Sequence, residues 1–143
     1  MPISMRVVIV GVAALLLLSA LAATAQSPSP VVAKKEAVER GRYLVQNVAM
    51  CGYCHSPRDS KGRVIQYKAF HGAVIPVSPP TGEDWALVAP SNLGFVGYTD
   101  EEAVQLLTTG IKHDGTKTKP PMPPYKLKKE DAEAVVAFLR SLR

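Results

Sequence analysis

The last fifteen residues of the chain, 129–143, carry apolar side chains at helical spacing. They recur three and four positions apart, at Ala132, Val135, Val136, Phe138, Leu139 and Leu142. Such a stripe predicts a helix with one buried face. Arg140 and Arg143 suit its C-terminal end, where the helix dipole favours cations.

A second helix is predicted between Thr99 and Gly110 by the signals at its two ends. Thr99 followed three residues later by Glu102 forms a capping box, and Asp100 and Glu101 place negative charge at the positive end of the helix dipole. Gly110 provides a C-terminal stop. The buried side between these ends consists of Ala103, Val104, Leu106 and Leu107.

Residues 34–50 predict a third helix, because a polar and charged segment carries Val38, Leu44, Val45 and Val48 at helical spacing. Gly41 is unusual there, since glycine inside a helix costs up to about 1 kcal/mol against alanine. We predict that Gly41 lets the last helix cross at short range, around Phe138; the alternative is a tolerated surface glycine.

Residues 56–98 have no helical period and contain five prolines and five glycines. They predict one long loop, with room for short strands within residues 64–77. A loop of this length normally counts against a compact domain. It fits one only if something besides side chains fills the interior of the protein.

Near the N-terminus, an unbroken run of aliphatic and small residues extends from Val7 to Ala23, behind Arg6 and before Ala23-Thr24-Ala25. This layout predicts a secretory signal peptide over residues 1–25, a flexible linker over residues 26–34 and a folded domain over residues 35–143. The alternative is an uncleaved membrane anchor, although seventeen residues are at the short end of what crosses a bilayer.

Removal of that segment changes the composition, which is 47% hydrophobic for the whole chain. The remaining 118 residues keep all nine aromatic side chains, of which three are Phe and one is Trp. A domain this small is only marginally stable without a further source of stability. The formal net charge falls from +5 to +4, because Arg6 is lost.

Both cysteines lie in one string, Cys51-Gly52-Tyr53-Cys54-His55. A redox disulfide of the thioredoxin type needs a strand before the motif and a βαβ context, and the segment before Cys51 is helical instead. A zinc site needs more ligands, and there is no second cysteine pair. C-x-x-C-H is the signature of covalent haem attachment. On a helical turn the two thiols and the His55 imidazole share one face, so the thiols can reach two vinyl groups while His55 reaches the iron.

A sixth iron ligand could come from Met50, Met122, His71 or His113. Met50 adjoins Cys51 and is therefore tethered to the side of the haem that His55 occupies. Met122 has two prolines on each side, which fix φ and form a stiff extended loop that can hold a thioether in place. A proline-rich recognition segment with an incidental methionine is the alternative for this loop.

From about residue 35 to residue 143 the chain resembles a bacterial class I monohaem cytochrome c. The resemblance is carried by Gly41-Arg42-Tyr43-Leu44, the Cys51–His55 motif, Ala89-Pro90-Ser91-Asn92-Leu93, Pro121-Met122-Pro123 and Ala137-Phe138-Leu139-Arg140-Ser141-Leu142. It implies a small all-α domain of three to four helices wrapped around one covalently bound haem c, with long connecting loops. It also implies thioether links at Cys51 and Cys54, and His55 and Met122 as ligands of the iron.

The resemblance further implies a periplasmic electron carrier rather than an enzyme. Residues 112–129 contain six lysines and a single acid, Asp114. We expect these lysines to steer an acidic face of a redox partner to the loop around Met122. The alternative is that the charge only keeps this loop soluble. Nucleic acid is not an expected partner, and a membrane span is expected only if the signal peptide is retained. The alternative functions are a haem subunit of a larger periplasmic dehydrogenase or oxidase, and a gas-binding or peroxidatic protein if Met122 does not ligate.

Overall fold

The computed structural model describes residues 29–80 and 84–143, so the predicted signal peptide and the first three residues of the predicted linker lie outside the described residues. Four helices occur in this part of the chain: α1, Pro30–Tyr43; α2, Gly52–His55; α3, Asp100–Thr109; and α4, Lys129–Ser141. Single 3-10 turns occupy Gln66–Lys68 and Leu93–Phe95. The fold is the mostly helical small domain with long loops that the sequence predicted.

Helix α1 begins earlier than the sequence indicated. Residues 30–34, predicted to belong to a flexible linker, instead form the first turns of α1. The Ser29 side chain accepts a hydrogen bond from the Val32 amide, and Pro30 stands at the first helical position, where its missing N–H has no cost. Val31 is 78% exposed, so no hydrophobic period marks these turns and only their cap identifies them.

The end of α1 also differs from the single helix predicted over residues 34–50. After Tyr43 the backbone continues as a π-helical turn, Leu44–Val48. The Ala49 amide bonds to the Leu44 carbonyl at 2.8 Å, and the Cys51 amide bonds to the Val45 carbonyl at 3.0 Å. Leu44 and Val45 are buried in the core. The turn therefore keeps the buried side of α1 in the core and leads directly into the cysteine motif.

Helices α1 and α4 cross in close contact at Gly41, as predicted. A Cβ atom at position 41 would lie 2.6 Å from the carbonyl carbon of Ala134 and 2.8 Å from Cβ of Phe138. Both distances are far below van der Waals contact, so only glycine fits here. Beside the crossing, Arg40 and Asp131 form an ion pair at 2.9 Å.

Helix α4 supplies most of the core. Its predicted stripe is buried except for Leu142, which is partly buried, and Ala134 joins the buried face because it lies against Gly41. Arg140 lies in the last turn of this helix, as predicted, whereas Arg143 lies beyond its last residue, Ser141. Arg140 also donates to the carbonyls of Phe95 at 3.1 Å and Tyr98 at 2.7 Å. The arginine thereby fixes the loop before α3 to the core.

Helix α3 has the predicted ends. The Thr99 hydroxyl accepts from the Glu102 amide at 3.2 Å, and the Glu102 carboxylate accepts from the Thr99 amide at 2.8 Å. Gly110 closes the helix in the left-handed conformation, with φ of 76°. The first carboxylate of the helix, Asp100, also pairs with Arg140 at 2.9 Å. These contacts join the start of α3 to the end of α4.

The long loop contains one small antiparallel pair of strands, β1, Ala73–Val74, and β2, Val88–Ala89. Ala73 pairs with Ala89, and Val74 pairs with Val88. Phe70 and Phe95, at either side of this pair in the chain, are buried in the core with Phe138. None of the helices in the described residues is long and apolar enough to cross a membrane.

Candidate functional site

A cavity of about 520 Å³ opens beside the core. Most of its lining residues come from four parts of the chain: the segment that includes α2, the β2 strand with the residues around it, α3, and the loop that contains Met122. Leu139 of α4 also lines it. Most of the lining side chains are aliphatic or aromatic. A cavity of this size and character is typical of a site for a mainly apolar small molecule.

Helix α2 and Cys51, the residue that caps its start, present the three motif residues to this cavity. Cys51, Cys54 and His55 all line it, as the i, i+3, i+4 spacing predicted. The turn is closed by a hydrogen bond of 3.0 Å from the His55 amide to the Cys51 carbonyl. The covalent-attachment geometry expected from the sequence is therefore formed by backbone contacts within the motif itself.

Cys51 and Cys54 form no disulfide with each other, and their surroundings oppose the ionisation of a thiol. Burial raises the pKa of Cys51 to about 11 and also raises the pKa of Cys54. A redox-active C-x-x-C pair has the opposite property, because its attacking thiol needs a lowered pKa. This environment argues against the thioredoxin-type interpretation of the motif.

His55 is 8% exposed, and its Nδ1 lies 2.7 Å from the carbonyl oxygen of Pro90. A carbonyl can only accept, so Nδ1 carries the proton and donates it, which leaves the Nε2 lone pair free. Burial lowers the pKa of the imidazole, opposed by the bond to Pro90. A neutral imidazole with an oriented ring is the form that binds a metal.

Gly72 brings the Pro90 segment to His55. Its amide donates to the His55 carbonyl at 2.8 Å. Its φ is +85°, and a Cβ atom there would lie 2.8 Å from the Ala89 carbonyl oxygen and 2.9 Å from the carbonyl carbon of Pro90. Only glycine allows this approach together with this backbone conformation. The role of Gly72 could not be predicted from the sequence, because nothing in the sequence indicates which residues lie next to it in space.

Met122 lines the same cavity as His55. It lies in the methionine loop, which we define as residues 118–127, and its amide donates to the Lys119 carbonyl at 3.1 Å. The other predicted candidates are placed differently. Met50 lines the cavity but is 56% exposed. His71 is exposed, with Nδ1 at 3.0 Å from the Ala69 carbonyl, and His113 packs edge-on against Tyr98. Neither histidine lines the cavity.

Three buried polar atoms have no hydrogen-bond partner within residues 29–80 and 84–143, and two of them belong to residues at or next to the cavity. They are the Trp85 indole nitrogen, the Asn92 side-chain oxygen and Nε of Arg58, all buried. Asn92 lines the cavity, and Trp85 is next to Ala86, which also lines it. An apolar space with isolated buried polar atoms fits a flat apolar group that carries a few polar substituents, as haem does.

The fold and the cavity together define a small helical domain that holds a covalently attached haem for electron transfer. The family model described as cytochrome c matches residues 38–143. The chain therefore belongs to the cytochrome c family. It is an electron-transfer protein that binds haem c through Cys51 and Cys54.

Among curated proteins, the chain is similar to the fructose dehydrogenase cytochrome subunit of Gluconobacter japonicus. The two are 32% identical over 117 residues, which is 78% of this chain and 22% of that subunit. The chain thus spans about a fifth of the length of this relative. The similarity therefore covers only part of that subunit.

The lysines that the sequence placed around Met122 divide into two groups. Lys112, Lys119 and Lys129 have carboxylate partners in Asp114, Asp84 and Glu133. Lys117, Lys126 and Lys128 are exposed and make no ion pair with the described residues. Lys112 and Lys119 also line the cavity. Positive charge therefore lies at the cavity and along the loop that carries Met122.

Proposed function

We propose that this chain is a periplasmic electron carrier whose single haem c has His55 and Met122 as its axial ligands. The observation that carries the proposal is that both side chains line one cavity together with the two attachment cysteines. His55 has the tautomer that leaves Nε2 free, and Met122 lies in a loop with four flanking prolines. The chain acts by electron transfer and not as an enzyme.

When bound, the haem supplies a one-electron ferrous–ferric couple. The side chains of this protein set the conditions for that couple. The Pro90 carbonyl orients the His55 ring and holds its proton on Nδ1. The apolar cavity walls exclude water, and the thioether of Met122 is a neutral, soft ligand that favours the ferrous state relative to a second imidazole.

Export to the periplasm is part of the same proposal. It is supported by the apolar run from Val7 to Ala23 and the A-x-A pattern that ends at Ala25. Cleavage after Ala25 gives a protein that begins at Gln26; an uncleaved segment gives a membrane-anchored one. The N-terminal sequence of the protein purified from whole cells with detergent, which recovers both soluble and membrane-bound forms, distinguishes the two outcomes.

We further propose that the partners are redox proteins with an acidic docking face. Lys117, Lys126 and Lys128 supply unpaired positive charge on the methionine loop and next to it. Charge of this kind raises association rates and is screened by salt. The rate of electron transfer to an acidic redox protein should therefore fall as ionic strength rises.

A second function is favoured by the similarity to a dehydrogenase cytochrome subunit. In this case the chain would carry electrons as a permanent part of a larger dehydrogenase. Gel filtration of the native extract at low and high salt separates the possibilities, because a free carrier elutes alone under both conditions.

Visible spectroscopy of the ferric haem protein tests the ligand assignment. Sulfur ligation gives a weak charge-transfer band at the red end of the visible spectrum. Met122→Ala should abolish this band, and Met50→Ala, the matched control in the same cavity, should keep it. An absent band in the unmodified protein, together with ready carbon monoxide binding, would instead indicate a gas-binding or peroxidatic haem protein.

A further inference from the structure

The methionine loop is tied to three different parts of the protein. At its start, the Thr118 amide donates to the Gly110 carbonyl at 3.0 Å, and the Ala86 amide donates to the Pro120 carbonyl at 2.8 Å. At its end, the Leu127 amide donates to the Leu107 carbonyl at 3.2 Å. These backbone contacts fix the ends of the loop to α3 and to the segment before β2.

The third connection comes from a side chain, the phenol of Tyr125. Its hydroxyl donates to the carbonyl of Ala49 at 2.8 Å, across a sequence separation of 76 residues. Tyr125 is partly buried and lines the cavity. Among the described residues, this is the one hydrogen bond between the methionine loop and the segment that leads into the cysteine motif.

The acceptor is held firmly. The Ala49 amide bonds to the Leu44 carbonyl at 2.8 Å, at the end of the π-helical turn. Two residues further on, the Cys51 amide bonds to the carbonyl of the fully buried Val45. The Ala49 carbonyl is therefore part of the same backbone unit that positions the first haem-attachment cysteine.

On the other side of the contact, Pro123 and Pro124 separate Tyr125 from Met122. Each proline fixes φ near −65°, so the spacer has few conformations. A restraint on the Tyr125 ring therefore limits where the Met122 thioether can lie. Without the hydroxyl contact, the distal half of the loop is restrained next only at Leu127.

The phenol keeps its proton in this environment. Burial raises the pKa of Tyr125 to about 12, with smaller contributions from Cys51 and Cys54. In thioether form the two sulfurs carry no charge, so the burial contribution is the one that persists. The hydroxyl remains a donor throughout the neutral range.

We infer that Tyr125 is a positioning residue for Met122: its hydroxyl, bonded to the Ala49 carbonyl, holds the methionine loop against the haem-attachment segment and so keeps the thioether available to the iron. The inference rests on the proposed role of Met122 as the sixth ligand. The contact gives the methionine side of the site a direct connection to the cysteine side.

The test uses the haem-loaded Tyr125→Phe protein, which keeps the ring and removes only the hydroxyl. Imidazole is the probe, because it must displace Met122 to bind ferric iron. Loss of one hydrogen bond that restrains the loop should tighten imidazole binding by about two- to tenfold. When the pH is raised, the red charge-transfer band of Tyr125→Phe should also disappear at a lower pH than the band of the unmodified protein.

Tyr67→Phe is the matched control, since it makes the same chemical change at a side chain that is 80% exposed and outside the cavity. It should leave imidazole affinity and spectrum unchanged.

Denaturant unfolding of both variants separates positioning from general stability. A lower free energy of unfolding for Tyr125→Phe with unchanged imidazole affinity would overturn the inference. If the unmodified protein has the band, and Tyr125→Phe changes neither the band at any pH nor the imidazole affinity, the role of Tyr125 is contradicted. The assignment of Met122 as a ligand would still stand. A missing band in the unmodified protein contradicts the assignment of Met122 as well.

Discussion

The crossing of α1 and α4 and the wall of the haem cavity are stabilised in different ways. At the crossing, Gly41 lies against Ala134 and Phe138 at distances that admit no further atom. The cavity wall is built from loops, and single hydrogen bonds such as those of His55 with Pro90 and Tyr125 with Ala49 hold its parts together. The crossing is complete as protein, whereas the wall needs its cofactor to fill the space between its parts.

This comparison indicates that stability and function lie in separate parts of a very small domain. Side-chain packing between helices needs no ligand and tolerates little change. Loops around a cavity contribute little packing of their own, so their order depends on what fills the cavity. Substitutions at the two regions should therefore affect different measurements.

The largest expected effect is at the crossing. Gly41→Leu forces a side chain into the backbone of α4, which lies 2.6 Å from the position of Cβ. We expect the free energy of unfolding to fall by at least about 3 kcal/mol, the upper end of overpacking costs, because backbone cannot move aside as a side chain can. Chemical denaturation measures this loss. Ala33→Leu, at an exposed position of α1, is the control and should cost less than about 0.5 kcal/mol. A Gly41→Leu protein of normal stability would contradict the account of the crossing.

Removal of the haem should lower hydrogen-exchange protection much more in the cavity wall than at the helix crossing. In a Cys51→Ser/Cys54→Ser protein, the amides of Gly72 and Asn92, which bond to the His55 and Phe70 carbonyls, should lose hydrogen-exchange protection by about a hundredfold. Amides in the middle of α4 should lose much less, because their packing is within the protein. Equal loss of protection in both regions would show that they form one cooperative unit.

Two glycine substitutions test whether Gly72 is needed for the approach of the Pro90 segment to His55. Gly72 and Gly115 both have positive φ, at +85° and +79°, but a Cβ atom meets close backbone only at Gly72. Both alanine substitutions should cost about 1 kcal/mol for the left-handed conformation. Gly72→Ala should cost about 1–2 kcal/mol more, because it separates β1 from the Pro90 segment. Equal unfolding free energies for the two variants would contradict the role assigned to Gly72.

The smallest expected effect concerns pH. Asp114 accepts from the Thr116 amide and hydroxyl, and these hydrogen bonds lower the pKa of its carboxyl group to about 2. A lowered pKa in the folded state adds stability above the unfolded pKa, near 4, and the contribution is lost as pH falls towards 2. Asp114→Asn should therefore be slightly less stable than the unmodified protein at pH 7. The difference should shrink between pH 4 and pH 2. If the stability difference between the two proteins grew as the pH fell, the lowered pKa of Asp114 would be contradicted.

Much of the helical framework could be predicted from the sequence, because its signals are local. The capping box of Thr99 and Glu102, the Gly110 stop and the α4 stripe each depend on residues within a few turns of one another. Gly41 could be interpreted because a glycine within a helix needs a reason. The start of α1 was placed too late, since Ser29 and Pro30 resemble both a linker and a helix start.

The cavity wall could be predicted only in part. The motif residues Cys51, Cys54 and His55 were identified because they are adjacent in sequence. Pro90, Gly72 and Tyr125 act through contacts with residues that are far away in the chain, and no local period records such contacts. The π-helical turn was also missed. Its buried residues, Leu44 and Val45, are adjacent in the chain, so their spacing does not distinguish a π-helical turn from an α-helical one.

The separations in the chain also set an order of assembly. His55 and its acceptor Pro90 are 35 residues apart, and Tyr125 follows Ala49 by 76. Synthesis from the N-terminus produces the complete attachment motif before either support exists. The thioether links involve only Cys51 and Cys54 within this motif, whereas the proposed ligation by Met122 also requires long loops to close, each with its own entropic cost. Haem attachment and the proposed ligation by Met122 can therefore occur as separate events, and the first can be complete before the second.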